Sequence, residues 1–567
     1  MSETKHDSVK IWDVVPGFEF DEEIDVPALH SWVFDGAHGF PRWIPMFSWL
    51  WVRYCSYGGQ YGAEILSMPR FKGWVYREKD GGAYIGMRIV RDEAEIGERT
   101  ARFKEAMRPW LEEFDSKWNA YKQELLSIYE PLQAVDLDRA TNVDLLHHLW
   151  DLTSMYRRMW EIHFLVVYPA FAAFTLLEDR LARFGITSQS PEFNKMIRGV
   201  DNEVFQVDKE LWELGQKAIR NGIGDVFEDN GATEVLAKLE KTDAGREWKK
   251  DFSEFLNRNG WRVLRAFDLQ ESYWLEEPNS VIAIIQNFIS KNINYTLDKI
   301  RANLIAEREK EIDNLMQKVP DNEKEELLAI IKLAQKGSSI SEEHDLYCEL
   351  RSHALWRRGL LGMGRRLAQA GAIDQPEDIF FLNPDEIEQV MLGPEFHKMQ
   401  YIANRRRAQW EDWKDKTCPP VITDRASIEE VFAMDAVSAN EPIVLHVAGV
   451  EVPLEKPGLK ADIRGISASP GEADGLARVI MDYNQLPEVQ SDEILVCPAI
   501  NPAWTPVFPL VKALVTDGGG LLSHAAIVGR EYGIPTIVNS HVATSQIKTG
   551  QHIRVDSNNG AIYFLDK

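Results

Sequence analysis

The chain has 567 residues, of which 44% are hydrophobic, so it is long enough to form two to four domains with buried cores. Its 89 acidic and 64 basic residues give a formal net charge of −25, which would repel a polyphosphate backbone and argues against nucleic acid as a partner. The polar first residues carry no signal-peptide pattern, and the cysteines Cys55, Cys348, Cys418 and Cys497 are scattered, which together predict a reduced, cytoplasmic protein.

Residues 1–92 are predicted to be the α+β part of an acceptor-binding domain. Within them, "GWVYREKDGGAYIGMRIV" (residues 73–90) places a KDGG turn between two strand patterns, as is typical of a β-hairpin. Residues 93–440 are predicted to be helical, because apolar residues recur every three or four positions in segments such as 98–130 and 296–319. The apolar run "FLVVYPAFAAFTLL" (residues 164–177) is too short to cross a bilayer and is predicted to be a buried helix, so no membrane partner is expected.

Residues 441–463 are interrupted by Pro and Gly and are predicted to be a linker. Beyond them, residues 464–567 contain short strand patterns and one strong helix from Ser523 to about Tyr532, which predicts a small β/α domain. The expected fold class is therefore multidomain α+β: a mixed and largely helical acceptor domain followed by a C-terminal β/β/α domain.

The stretch "DGGGLLSHAAIVGREYGIPTIVN" (residues 517–539) places a histidine at the start of that helix. Ser523 is a favourable N-cap and Gly533 a favourable C-terminal stop, so His524 is expected in the first turn. Free backbone N–H groups and the helix dipole favour an anion there, and the glycines of 518–520 would let the main chain approach a phosphoryl group. His524 is therefore a candidate nucleophile, and a histidine that only packs in a tight strand-to-helix turn is the alternative.

The C-terminal segments resemble the phosphohistidine, or swivelling, domain of PEP-utilising enzymes, a group that includes PEP synthase, pyruvate phosphate dikinase, rifampin phosphotransferase and phenylphosphate synthase. The resemblance lies in "GISASPGEADGLARVI" (residues 465–480), in residues 492–539 and in "IKTGQHIRVDSNNGAIYFL" (residues 547–565). It implies that His524 is transiently phosphorylated. These enzymes often carry Thr two residues before the histidine, and Leu522 at that position argues against control through a Thr hydroxyl.

Upstream, residues 32–45, 255–278 and 350–387 resemble the acceptor-side region of rifampin phosphotransferase and phenylphosphate synthase. Residues 255–278 depart from the family's Gly-His-Arg pattern, because Trp261 stands where His is usual and the acidic residue that commonly follows is missing. Rifampin itself is therefore not expected to be the acceptor.

Transfer to a hydroxyl needs a base and positive charge near the phosphoryl group. Arg262 and Arg351 are the favoured arginines, and Arg357 and Arg358 are weaker candidates; ordinary paired helix residues are the alternative. The candidate bases are His38, His353 and His163. No metal site is expected, because the adjacent His147 and His148 diverge around a helix and no metal-ligand spacing occurs.

The chain carries 18 tryptophans, which could wall a flat ligand or simply fill cores. The predicted acceptor-binding residues are Trp32, Trp43, Trp261 and Trp274, with Trp49, Trp51 and Phe71 as neighbours. The predicted phosphoryl-cradling residues are Gly518, Gly519, Gly520 and Ser523.

No Walker pattern occurs, and residues 1–100 contain no glycine-rich phosphate loop. The resemblance therefore implies a partner subunit with an ATP-grasp fold that binds ATP and Mg²⁺. The absence of a barrel after the C-terminal domain argues against PEP synthase.

An acceptor domain followed by a phosphohistidine domain is similar to the two-component kinases that activate phenolic compounds, and this resemblance implies one subunit of a two-component, ATP-dependent, dikinase-type phosphotransferase. It would pass a phosphoryl group through phosphohistidine to a phenolic acceptor of the phenol, 4-hydroxyacetophenone or acetovanillone type. A phosphotransferase for an antibiotic or other bulky hydroxyl compound, and a non-catalytic phosphocarrier, are the alternatives.

Overall fold

The computed structural model describes most of the chain, and its residues fall into two compact units. The first unit combines the described residues of 1–169, 266–271 and 347–444, and the second combines the described residues of 170–265, 272–346 and 445–567. The first 31 residues and most of the predicted linker 441–463 lie outside the described residues. The described residues are 32–35, 38, 39, 42–90, 92–201, 203–263, 268–290, 297–414, 416, 418, 419, 421, 422, 453, 458, 460–481, 483–500 and 502–566.

Helices dominate both units, as the apolar periodicity predicts. In chain order they are α1 (Pro45–Ile65), α2 (Glu93–Ala134), α3 (Asn142–Ala182), α4 (Pro191–Met196), α5 (Glu203–Arg220), α6 (Gly224–Glu228), α7 (Ala232–Leu239), α8 (Asp243–Asn259), α9 (Pro278–Ser290), α10 (Leu297–Met316), α11 (Lys324–Asp345), α12 (Arg351–Gln369), α13 (Pro384–Met391), α14 (Gln400–Trp413), α15 (His524–Tyr532) and α16 (Ala543–Gln546).

In the part of the chain that the structure describes, two sheets accompany the helices, one in each unit. The first has the order β2-β3-β1-β4 and the second the order β5-β12-β11-β7-β8-β9-β10-β6. Their strands are β1 (Trp32–Phe34), β2 (Phe71–Lys79), β3 (Gly82–Ile89), β4 (Val421–Ile422), β5 (Ile463–Arg464), β6 (Ile466–Ser469), β7 (Glu472–Val479), β8 (Ile494–Cys497), β9 (Ala513–Thr516), β10 (Thr536–Val538), β11 (His552–Asp556) and β12 (Ala561–Phe564).

The predicted hairpin of the N-terminal region is confirmed. Strands β2 and β3 pair antiparallel, with Lys79 opposite Gly82. The two turn residues, Asp80 and Gly81, have φ values of 52° and 72°. Positive φ at both central positions suits the right-handed twist of a two-residue hairpin, which explains the Asp-Gly sequence.

The predicted buried helix, residues 164–177, lies in the C-terminal half of α3. This 41-residue helix has a mean hydropathy of 1.5 over its most apolar window, so by length and composition it could cross a membrane. However, 83% of that window is buried inside the protein, as in the core helix of a folded domain. Its apolar side chains are therefore explained by packing against protein.

The second unit contains both a helical core and the C-terminal sheet. Helices α5 to α9 pack around large apolar side chains that include Trp248, Phe252 and Trp274. In the sheet, β7, β8, β9 and β10 run parallel and form the centre, while β11, β12, β5 and β6 are antiparallel additions. The short strands predicted in residues 464–567 are confirmed, and β8, β9 and β10 are buried at every residue, as expected of central parallel strands.

Candidate functional site

His524 lies at the point where a central parallel strand passes into a helix. β9 ends at Thr516, and a loop then leads to α15, which begins at His524. The Ser523 side chain accepts a hydrogen bond from the Ala526 N–H at 3.4 Å, and Gly533 ends the helix with φ 65°. The predicted cap, start and stop of this helix are therefore confirmed.

Sterics require glycine at position 519 of the loop. Gly519 has φ +98°, and a Cβ atom added there would lie 2.8 Å from Ser523 Oγ. The N–H of Ser523 donates to the Gly520 carbonyl at 3.1 Å, and the Thr516 hydroxyl donates to the Gly518 carbonyl at 2.7 Å. The loop is thereby held against the first turn of α15, where free N–H groups favour an anion.

The imidazole of His524 is 8% exposed, and its two nitrogens have different surroundings. Nδ1 is hydrogen-bonded to Oε2 of Glu342, which lies in α11 of the same unit. Nε2 has no hydrogen-bond partner among the described residues. A carboxylate oxygen only accepts, so in the neutral imidazole Nδ1 carries the hydrogen and Nε2 carries the lone pair. Nε2 is thus the nitrogen equipped for nucleophilic attack.

Further polar contacts fix α15 against the helices of the second unit. Arg530 donates to the Asn194 side chain at 3.2 Å, and the carboxyl of Glu531 accepts the Val200 N–H at 2.9 Å. The Tyr532 hydroxyl donates to Asp208 at 2.5 Å. All of these contacts join residues 524–533 to residues 190–210 or to α11, so the face of the C-terminal domain that carries His524 is buried.

Burial controls the ionisation of two of these groups. It raises the pKa of Glu531 from 4.5 to about 8, although Arg530 and two backbone N–H groups act in the opposite direction. It lowers the pKa of Arg530 from 12.5 to about 10, against the pull of the Glu531 and Glu342 carboxylates. The Glu531 carboxyl is therefore mainly protonated at neutral pH.

The first unit brings several of the predicted residues together. His38, Trp43 and His353 all neighbour Trp51, with ring centroids 5.5 Å, 5.8 Å and 6.4 Å from it. Trp43 also donates its indole N–H to the His38 carbonyl at 2.9 Å. Trp43 and Trp51 are at most 2% exposed, so their rings form part of the core of this unit.

The candidate bases are all held by polar partners. His38 Nδ1 lies 2.7 Å from an Asp35 oxygen that also accepts the Tyr76 hydroxyl at 2.6 Å. Burial raises the pKa of Asp35, but the charge and hydrogen bonds of His38 outweigh it and hold the pKa below 3.8. His353 Nε2 lies 2.9 Å from the Tyr156 hydroxyl. Asp35 is a contact that the sequence analysis missed, although it lies only three residues before His38.

His163 is a buried histidine that the structure keeps neutral. Its Nδ1 lies 3.2 Å from a carboxylate oxygen of Glu349. Burial, followed by repulsion from His38, lowers its pKa from 6.5 to about 3.

The arginine candidates divide by what they touch. Arg357 donates to the carbonyls of Leu269 and Gln270, and Arg358 donates to the carbonyl of Val135 at 2.6 Å. These two therefore tie backbone segments together, which is the structural role given above as the alternative.

The two favoured arginines pack on aromatic rings. In the first unit, Arg351 lies over Tyr129 at 5.9 Å, and burial lowers its pKa. In the second unit, Arg262 lies 5.2 Å from the Trp274 ring centre and is 5% exposed. Both contacts are within the range of cation–π attraction.

The remaining predicted aromatic residues pack with other rings or apolar side chains. Trp261 stacks on Tyr273, with ring centroids 5.6 Å apart and planes 11° apart. Trp274 is 1% exposed and belongs to the helical core of the second unit. Trp32 packs with Val75 and Tyr84 in a small cluster of the first unit. Their role in acceptor binding stays a prediction.

The C-terminal domain presents a histidine at the start of a helix that follows a parallel strand. One nitrogen of this histidine is held by a carboxylate, and the other has no hydrogen-bond partner among the described residues. This arrangement is typical of a domain that carries a chemical group on histidine. Comparison with protein families agrees with this class. Residues 489–560 match the model of the PEP-utilising enzyme mobile domain. Residues 163–342 match the model of the rifampicin phosphotransferase fourth domain. Two segments of the chain are therefore similar to domains of known phosphotransferases and PEP-utilising enzymes.

The chain is also similar to curated proteins that are named phosphotransferases. An uncharacterized phosphotransferase, YvkC of Bacillus subtilis (strain 168), is 30% identical over 444 residues, which cover 78% of this chain and 52% of the relative. A rifampicin phosphotransferase of the same organism is 28% identical over 333 residues, covering 58% of this chain and 36% of that protein. The chain thus spans about half or less of the length of these relatives.

Among solved structures, an Enzyme I protein studied in solution matches 49% of this chain and 80% of its own, with 13% identity and a TM-score of 0.15. That likeness is too low to support a conclusion.

Proposed function

We propose that this chain is the phosphohistidine-bearing and acceptor-binding part of a dikinase-type phosphotransferase. Nε2 of His524 takes a phosphoryl group and hands it to the hydroxyl of an organic acceptor. The observation that carries the proposal is the unpaired Nε2 of a helix-start histidine inside the segment that matches the PEP-utilising mobile domain. A phosphoryl group on that nitrogen would lie next to the loop and the helix N-terminus, both of which favour an anion.

The source of the phosphoryl group in this proposal is ATP bound with Mg²⁺ to an ATP-grasp partner, which releases AMP and phosphate when it phosphorylates His524. The carboxylate that contacts His524, that of Glu342, is already engaged with Nδ1 and is 1% exposed. Mg²⁺ prefers carboxylates with several retained waters, so this buried carboxylate is a poor ligand and we expect the metal on the partner. The greater length of the relatives is consistent with a nucleotide-binding part outside this chain.

A phenolic acceptor of the phenol, 4-hydroxyacetophenone or acetovanillone type is the first candidate. It is supported by the resemblance to phenylphosphate synthase and by the aromatic surroundings of His38 and His353. A flat ring suits a pocket with aromatic walls, and a phenol needs a base to remove its proton.

An antibiotic or other bulky hydroxyl compound is the second candidate. It is favoured by a specific observation, the similarity of this chain to a protein named rifampicin phosphotransferase. The two candidates share the chemistry at His524 and differ only in the acceptor.

The loading step can be tested without the partner. We expect the protein to become phosphorylated on His524 by phosphoramidate, a small donor with a P–N bond, or by ATP when an ATP-grasp partner is added. The label is located by mass spectrometry after quenching in alkali, where phosphohistidine survives. His524→Gln should carry no label, whereas His552→Gln, a partly exposed histidine of the same domain, should label normally. Equal labelling of the wild-type protein and His524→Gln would rule out His524 as the carrier.

The acceptor is identified in a second experiment. Labelled protein is mixed separately with phenol, 4-hydroxyacetophenone, acetovanillone and rifampicin, and loss of label is compared with formation of a phosphorylated product. Transfer to one of the phenols supports the first candidate, and transfer to rifampicin alone supports the second. Label that stays on His524 with every acceptor, while a protein partner removes it, would instead show a phosphocarrier.

A further inference from the structure

Glu342 is a buried residue whose side chain makes a hydrogen bond with His524. It lies near the end of α11, is 1% exposed, and its Oε2 contacts His524 Nδ1. Its second oxygen, Oε1, has no hydrogen-bond partner among the described residues. Burying a carboxylate with so few partners costs folding free energy, so such a residue needs a compensating role.

Glu342 can act on His524 only when two distant segments of the chain are packed together. His524 belongs to the C-terminal segment 445–567, whereas Glu342 belongs to the helices 272–346 that pack with it in the second unit. The two residues are 182 positions apart, so only the packed arrangement of these segments brings them together. A mobile domain that leaves α11 takes His524 away from this carboxylate.

The chemistry of transfer shows what the carboxylate would do. The P–Nε2 bond breaks with its electron pair remaining on Nε2, the acceptor oxygen forms the new O–P bond, and the acceptor proton passes to a general base. If Nδ1 holds a proton during this step, the imidazole departs as a neutral group, and if it does not, the imidazole departs as an anion. A carboxylate that accepts from Nδ1–H holds that proton in place, as buried acids do for other reactive histidines.

The geometry points to Glu342 as a positioning residue that fixes the proton of His524 on Nδ1 when the C-terminal domain is packed against α11. It thereby directs the phosphoryl group to Nε2 and prepares the imidazole to depart as a neutral group. This inference rests on the proposed function. It adds that Glu342, with the C-terminal domain packed against α11, favours transfer of the phosphoryl group from His524 to the acceptor. Away from α11, the phosphorylated imidazole lacks this partner and would transfer its phosphoryl group less readily to water.

The test uses phosphoramidate as the probe and the full chain. Alkaline hydrolysis followed by chromatography separates Nδ1-phosphohistidine from Nε2-phosphohistidine. We expect the wild-type protein to give almost only the Nε2 isomer, and Glu342→Ala to lower the ratio of Nε2 to Nδ1 isomer about thirtyfold, the size expected for one charge-assisted hydrogen bond. Glu342→Gln should rescue part of the ratio, because an amide oxygen can also accept from Nδ1–H.

Glu343→Gln is the matched control, since this neighbour on α11 is only partly buried and should leave the isomer ratio unchanged. A ¹⁵N spectrum of histidine-labelled protein gives a second readout, with the His524 signals assigned by their loss in His524→Gln. We expect a protonated Nδ1 in the wild-type protein and a shift toward a protonated Nε2 in Glu342→Ala. A merely structural role would lower the melting temperature and leave both the isomer ratio and the tautomer unchanged.

The outcomes separate this inference from the proposed function. If the wild-type protein accepts no phosphoryl group on His524 from any donor, the proposed function fails. If His524 is phosphorylated but Glu342→Ala keeps the wild-type isomer ratio and tautomer, only the positioning role of Glu342 is overturned.

Discussion

The buried carboxyl of Glu531 allows a quantitative prediction about the packing of α15. Its pKa is raised to about 8 by burial, so the packed state favours the protonated form. A group whose pKa is raised on folding contributes stability that is fully present below its unfolded value of 4.5 and is lost as the pH rises through about 8. The total loss corresponds to about 5 kcal/mol, at 1.36 kcal/mol for each pH unit between the two values.

Glu531→Gln should remove this loss. The amide is neutral at every pH, and its oxygen can still accept the Val200 N–H that the carboxyl accepts at 2.9 Å. Relative to the wild-type protein, the variant should be more stable by about 1 kcal/mol at pH 5, about 3 kcal/mol at pH 7 and about 5 kcal/mol at pH 9. The effect on Arg530 should be small at neutral pH, because the carboxyl of Glu531 is then mostly protonated already.

Hydrogen–deuterium exchange of peptides from α15 measures the free energy of opening this helix at each pH. Glu472→Gln is a suitable control, since Glu472 is an exposed residue of β7 in the same domain. Comparison with this control variant at each pH also corrects for the intrinsic dependence of the amide exchange rate on pH. A gain that does not grow from pH 5 to pH 9, or a destabilisation at all three, would refute the reasoning that burial of this charge opposes packing.

Two further predictions concern stability. Burial of His148, followed by repulsion from Arg358, lowers the pKa of this histidine from 6.5 to about 4. The stability that this histidine contributes should therefore be fully present above pH 6.5 and should fall by about 3 kcal/mol as the pH drops through 4. Urea unfolding should show this loss of stability in acid for the wild-type protein and not for His148→Leu. Gly529→Ala should destabilise the protein by about 2 kcal/mol, because its Cβ would lie 2.1 Å from Thr536 Oγ1. Gly97→Ala should instead stabilise the protein by about 0.5–1 kcal/mol, because Gly97 lies within a helix and its added Cβ would meet open space. Thermal unfolding measures both variants, and a change in stability of the same sign for the two would contradict this reasoning.

Local features of the fold could be predicted from the sequence because short-range chemistry controls them. The cap at Ser523, the stop at Gly533 and the hairpin turn at Asp80 and Gly81 each depend on residues a few positions apart. The central parallel strands likewise follow from short continuous runs of apolar and β-branched residues, and the long helices follow from an apolar period of three to four. The same local signals placed His524 in the first turn of its helix, whereas its proposed role came from the resemblance to the swivelling domain.

The partners of these residues required the tertiary structure. Nothing within "SISEEHDLY" (residues 339–347) distinguishes Glu342 from Glu343, and only packing buries one of them against a histidine 182 residues away. Tertiary packing also brings Arg357 and Arg358 into hydrogen bonds with backbone carbonyls of distant residues. It buries Trp43 in the core of the first unit and Trp274 in the core of the second.

The sequence by itself therefore determined where the imidazole of His524 lies in its helix, because caps and glycines act over a few residues. The tertiary structure decided which of its nitrogens is left for chemistry, because that depends on a carboxylate from a distant helix. It also divided the chain into units that each combine separate segments, since burial of apolar surface pairs segments by shape and not by their order in the chain.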